Sequence, residues 1–178
     1  HYSYQPAEQI VPPIEKYAEA IASALNTLPR DRRPRLYLES GRALVDEAGY
    51  LITSIVAVKQ IGASGPITLA GKAAKAPAYM PESNGAAYVI DAGINILYSG
   101  NWYRFNVKPA KAIREAASQP IKLYGCLCMN IDVIREQVSL PAMTTGDHLV
   151  LHPVGAYNIT QSMQFITYRP AVVMIGLD

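Results

Sequence analysis

Two stretches of the chain set reactive side chains among residues that a hydrophobic core has no need of. The first is Glu39-Ser40-Gly41-Arg42, a carboxylate and a guanidinium about a glycine. The second runs from Tyr124 to Tyr157, opening Tyr124-Gly125-Cys126-Leu127-Cys128-Met129 and closing Gly155-Ala156-Tyr157. Gly125 lets backbone approach closely, Cys128 offers a thiol, and Gly155-Ala156-Tyr157 carries a phenol at the end of a strand where the chain must turn tightly. Each also has an ordinary reading. Glu39 to Arg42 can be a surface turn with a local ion pair, Cys128 a small hydrophobe, Tyr157 the closure of a β-corner, Asp132 a cap and Asp91 the start of a glycine turn.

Other pairs are weaker. His148 and His152 share one face of a strand, but four residues of strand separate them by about 13 Å, too far for one ion. Cys126 and Cys128 alternate on a strand and do not meet disulfide geometry, so they are expected to be free thiols, and without further soft ligands they imply no metal. Aromatics such as Tyr2, Tyr4, Trp102 and Tyr168 read as packing and loop anchors.

The elements that must position these residues follow from period and punctuation. Pro12-Pro13 opens a helix in which Ile14, Tyr17, Ile21, Leu25 and Leu28 recur at three- and four-residue steps, which predicts one buried face. Pro29 ends it. Arg35-Leu36-Tyr37-Leu38-Glu39 reads as a short strand running into the Gly41 turn, the closing unit of a parallel βα architecture with its site beyond the strand's carboxyl end. A long strand is predicted over Ala48–Ile61, then short ones at Ile67–Leu69, Ala86–Asp91, Arg104–Val107, Ile121–Leu127, His148–His152 and Ala171–Ile175. That spacing predicts an antiparallel β-barrel or sandwich. Gly71 to Gly85, rich in Ala, Lys and Pro, reads as an exposed, mobile loop.

The 178 residues, 50% of them hydrophobic, suffice for one core, and a net charge of +2 with dispersed basic residues gives no footprint for nucleic acid or an anionic membrane. The Arg30 to Arg35 cluster falls in a Pro-punctuated link and reads as a solvated turn. No apolar run approaches the ~20 residues that span a bilayer, and no signal pattern opens the chain, so the expected compartment is the cytoplasm.

Glu39-Ser40-Gly41-Arg42 with the following Ala43 to Lys59, then Asp91-Ala92-Gly93-Ile94-Asn95, Gly125 to Asp132, and Gly146-Asp147 running to Gly155-Ala156-Tyr157, come in an order that resembles the pyridoxal-phosphate-dependent amino-acid decarboxylases of the alanine-racemase-like fold, the ornithine and diaminopimelate decarboxylase family. The resemblance covers nearly the whole chain. It implies that residues 1–46 are the tail end of a cofactor-binding (β/α)8 barrel and 47–178 the C-terminal β-domain, with the lysine that holds the cofactor in a missing N-terminal barrel segment of the same or a separate chain. It also implies roles. Glu39 would keep the ring nitrogen of pyridoxal 5'-phosphate protonated, Gly41 would present backbone N–H groups to its phosphate, Arg42 would neutralise phosphate or substrate carboxylate, and Tyr157 would reach the phosphate. Cys128, supplied from a partner subunit, would direct protonation at Cα, and Asp132 would pair with a lysine across the dimer interface of a homodimer with composite active sites.

Departures bear on the small amino-acid substrate. Met129 stands where the family commonly has an acidic acceptor for a distal amine, and Ser99 where diaminopimelate decarboxylases have an arginine, although the tyrosine of that turn is present as Tyr103. A buried distal charge would lose a partner worth on the order of 2–5 kcal/mol. The substrate's far end is therefore expected to differ from ornithine, lysine or diaminopimelate, or to be held by the missing segment. Two other readings stay open: a non-catalytic regulatory or dimerising homologue, favoured by Met129 and Ser99, and a same-fold amino-acid racemase.

Overall fold

The computed structural model describes residues 12–61, 67–69, 72–74, 85–113 and 118–176. They form one helix and eight strands: α1 (Ile14–Asn26), β1 (Leu51–Ile61), β2 (Ile67–Leu69), β3 (Lys72–Ala74), β4 (Gly85–Ile90), β5 (Asn106–Pro109), β6 (Ser118–Tyr124), β7 (Val133–Pro141) and β8 (His148–His152). Six strands make one sheet in the order β5-β8-β1-β4-β6-β7, and β2 and β3 pair antiparallel in a sheet of their own. The large sheet is mixed and not purely antiparallel, because β4 and β6 run parallel, with Tyr88 opposite Leu123. Its two edges approach each other: Arg135 of β7 donates from Nη1 to the Phe105 carbonyl, just before β5, at 3.2 Å. The sheet is thus a nearly closed barrel.

Alternation sets which side chains fill it. Leu149 and Leu151 of β8 point inward and Ile121 and Leu123 of β6 do the same, joining Ile55, Tyr88, Ile90, Leu97, Phe105 and Leu140 in one cluster. Polar groups in this interior are paired, as burial requires. The Tyr88 hydroxyl donates to the Pro141 carbonyl at 3.2 Å and accepts from the Met143 N–H at 2.9 Å. The Thr53 hydroxyl donates to Asp91, whose Oδ1 also accepts the Ser54 N–H at 2.9 Å.

Several expectations are corrected. Residues 33–41 form no strand, and Leu36, Tyr37 and Leu38 are exposed, since among the described residues nothing pairs with them. The apolar face of α1 is not buried: Ile14, Tyr17 and Ile21 are open to solvent and no residue of the helix is buried. Residues 171–175 form no strand either and are exposed throughout. β1 starts three residues later than expected at Leu51, β5 is Asn106–Pro109 and β6 Ser118–Tyr124, whereas β2 and β8 coincide with the expected ranges. β7 was not anticipated. Lys72–Ala74 is a strand within the stretch read as a loop; most of the rest of Gly71 to Gly85, together with Tyr2 and Tyr4, lies outside the described residues. The Arg30 to Arg35 link is solvated as expected, with Arg33 donating from Nε to the Leu28 carbonyl behind the helix at 3.1 Å.

Candidate functional site

Gly41, Arg42, Tyr103 and Tyr157 come together. A Cβ placed on Gly41 would stand 3.0 Å from the Tyr157 hydroxyl, a tight contact that would press the phenol back by a few tenths of an ångström. The Arg42 guanidinium lies 3.2 Å above the centroid of the Tyr103 ring and 5.6 Å from that of Tyr157. Stacking on a ring face suits a planar, weakly hydrated cation. Arg42 Nη1 donates to Asp46 Oδ2 at 2.6 Å, with both side chains only 14% and 13% exposed. Its other two nitrogens, Nε and Nη2, are enclosed and have no hydrogen-bond partner.

The two turns that carry this cluster are locked by backbone. Gly155 donates its N–H to the Asp46 carbonyl at 2.9 Å, Val154 donates to the Gly49 carbonyl at 3.0 Å, and the Ala156 N–H reaches Asp46 Oδ1 at 3.2 Å. Gly49 and Gly155 pass so near each other that a Cβ on either would overlap the opposite main chain. Tyr157 follows in the left-handed region at φ 66°, a conformation that costs a non-glycine residue on the order of 1 kcal/mol and persists only where neighbours over-determine it. Asn158 supplies part of that restraint. It is buried, donates to the Val154 carbonyl at 3.0 Å, and its Oδ1 accepts from the Ser99 hydroxyl at 2.9 Å and the Ser99 N–H at 3.2 Å.

Ser99 is 0% exposed and braces the residue after Tyr157 through its two hydrogen bonds to Asn158. Glu39 is exposed two residues before Gly41, within the ~7 Å that two residues of chain can span. Tyr50 and His152 stack beside the same junction at 4.2 Å between centroids, with the His152 Nε2 3.0 Å from the Glu47 carbonyl. Asp46 and Asn158 were not singled out from sequence.

Cys128 and Met129 stand on another loop, Gly125 to Asp132, and both are exposed. Asp132 holds that loop. It is 1% exposed and turns inward, accepting the Ile94 N–H on Oδ1 at 2.8 Å and the Leu127 N–H on Oδ2 at 2.7 Å. Gly125 gives way to it, since a Cβ there would overlap the Asp132 carboxylate. Cys126 is partly covered: burial pushes its thiol up from the ordinary value, and the Asp132 charge adds to the effect.

Residues 16–155 match the family model described as the pyridoxal-dependent decarboxylase C-terminal sheet domain. The diaminopimelate decarboxylase of Escherichia coli K12 is 28% identical over 157 residues, covering 81% of this chain and 32% of the relative. That of Helicobacter pylori 26695 is 26% identical over 181 residues, covering 99% and 37%. Among solved structures, one diaminopimelate decarboxylase aligns with a TM-score of 0.67 at 26% identity over 90% of this chain and 37% of that one. A protein termed SrLDC, in complex with PLP and cadaverine, shares the fold, with a TM-score of 0.66 at 20% identity over 93% of this chain and 37% of that one. The chain thus spans about a third of the length of the relatives it matches. With the nearly closed sheet and the match over most of its length, the chain belongs to the pyridoxal-dependent decarboxylases, as their C-terminal sheet domain.

Proposed function

We propose that the chain forms the anion-holding wall of a pyridoxal-phosphate-dependent amino-acid decarboxylase site in the cytoplasm. A barrel segment carrying the cofactor's lysine, in the same or a separate chain, and a second copy of this chain would complete it. One observation carries the reading. Arg42 keeps Nε and Nη2 enclosed and unpartnered, and a buried charged donor left so costs about 1–3 kcal/mol or more unless an anion meets it.

The residues present fit the cofactor. Arg42 and Tyr157 would meet its phosphate with backbone at Gly41, or Arg42 would take the substrate carboxylate, while Glu39 at the rim would hold a proton on the ring nitrogen. Bound there, the group would accept the electron pair left when the bond from Cα to the carboxylate breaks. Tyr103 backs Arg42 and with Met129 would line the substrate. Cys128 would reach the other subunit's site and deliver a proton to Cα. Asp132 would keep the Cys128 loop in place, and the interchain lysine pairing implied by resemblance would add to the two bonds it already makes.

Solved relatives include complexes with L-lysine and with putrescine. For this chain, Met129 in place of an acidic acceptor and the enclosure of Ser99 favour a substrate whose far end is uncharged or is held by the barrel segment. Titrating the 178-residue chain with inorganic phosphate tests the anion site: binding should fall at least about tenfold in Arg42→Met, the loss of a charge-assisted pair. Carbon dioxide release by the full-length protein from some amino acid tests the reaction. Racemised product without carbon dioxide would point to a racemase, and turnover of nothing to a non-catalytic homologue.

A further inference from the structure

We propose that Asp46 is the positioning residue of this anion site, an inference that rests on the Arg42 reading above. Its carboxylate serves two donors on different elements. Oδ2 accepts Arg42 Nη1 at 2.6 Å and Oδ1 accepts the Ala156 N–H at 3.2 Å, while its main-chain carbonyl takes the Gly155 N–H at 2.9 Å. One residue therefore sets both the in-plane rotation of the guanidinium and the turn that presents Tyr157.

The consequence for Arg42 is geometric. Tyr103 fixes the plane of the guanidinium by stacking, but a stacked guanidinium can still turn within that plane. Holding Nη1 stops the rotation and leaves the opposite edge, Nε with Nη2, as the unpartnered pair. That edge is a parallel two-donor fork, the shape that matches two oxygens of a phosphate or carboxylate. No other atom of Asp46 is required to touch the ligand.

Charge alone argues for the opposite outcome, which makes the inference testable. Asp46 is a negative group beside an anion site, so its removal should strengthen anion binding by about three- to fivefold at a partly solvated position. Loss of one charge-assisted bond from a misturned fork weakens binding by about tenfold or more. If position dominates, the net effect is a loss.

The experiment is calorimetric titration of the 178-residue chain with inorganic phosphate, using Asp46→Asn, Asp46→Glu, Arg42→Met and the Arg42→Met/Asp46→Asn double variant, with circular-dichroism spectra confirming the fold of each. Asparagine keeps the shape but cannot accept both donors. Glutamate keeps the charge but shifts it by a methylene. Both are expected to bind phosphate at least about threefold more weakly, and Asp46→Asn should change nothing once Arg42 is methionine. Tighter or unchanged binding in Asp46→Asn, or wild-type binding in Asp46→Glu, overturns the positioning role; should asparagine prevent folding, the glutamate variant decides alone. Phosphate binding that survives Arg42→Met overturns the anion site as well, which separates the two failures.

Discussion

Cys126 and Cys128 lie two residues apart in one loop yet meet different surroundings. Cys128 is exposed, while Cys126 is half covered, with its thiol held above the ordinary range by burial and by Asp132. Thiolate is the nucleophile, so at neutral pH iodoacetamide should modify Cys128 well before Cys126, a difference that peptide mass spectrometry resolves. Asp132 governs how well this loop is held. An asparagine there can accept only one of the Ile94 and Leu127 N–H groups and turns a donor toward the other, so Asp132→Asn should cost about 1–3 kcal/mol in urea unfolding. A cost near zero would show that the loop does not depend on the carboxylate.

The joint between the Gly49 and Gly155 turns is where elements, more than single side chains, decide the site. A Cβ on Gly155 would overlap the Val45 carbonyl, so Gly155→Ala must part the two turns, with an expected loss of about 3 kcal/mol and weaker phosphate binding as Tyr157 leaves Gly41. The turn between β7 and β8 responds to pH instead. Asp147 Oδ2 accepts the Thr144 N–H at 2.7 Å, and that bond, with the Thr144 hydroxyl, lowers the Asp147 carboxyl below its usual range. A depressed carboxyl stabilises the fold above its unfolded-state value and loses that contribution as pH falls through the folded one. The wild-type advantage over Asp147→Asn should therefore be full above about pH 4 and shrink below it, as thermal melts across pH would show. How legible these elements were follows from how local their causes are. β8 was read to the residue because His148–His152 alternates cleanly between turns, with Leu149 and Leu151 inside. β7 was missed because Arg135-Glu136-Gln137 interrupts its alternation, and its place comes from pairing with β6. Leu36-Tyr37-Leu38 alternates well but has no partner strand among the described residues, and a strand is a property of a pair. Gly41, Arg42 and Tyr157, far apart in sequence, lie near one another in the fold, yet Asp46 stayed hidden: at four residues from Arg42 it resembles a surface ion pair, and its other partner, Ala156, lies 110 residues away.

Across the whole molecule, large apolar side chains of the described residues lie open to solvent. The exposure is plain toward both ends of the chain. Ile14, Tyr17 and Ile21 lie open on α1, Leu36 and Leu38 follow, and Met174 and Ile175 are each 93% exposed. Open apolar side chains grouped in this way fit a domain that takes its place against further chain. An amphipathic helix of 13 residues without a packed face is marginal in water. In the isolated 178-residue chain, backbone amides of Ile14–Asn26 and residues 171–175 should thus exchange with solvent deuterium within seconds, while those of β1, β4 and β8 stay protected. Adding the barrel portion, or measuring the full-length protein, should protect both end segments together. Protection of α1 in the isolated chain, at a concentration where it sediments as a monomer, would mean that the helix covers its own apolar face.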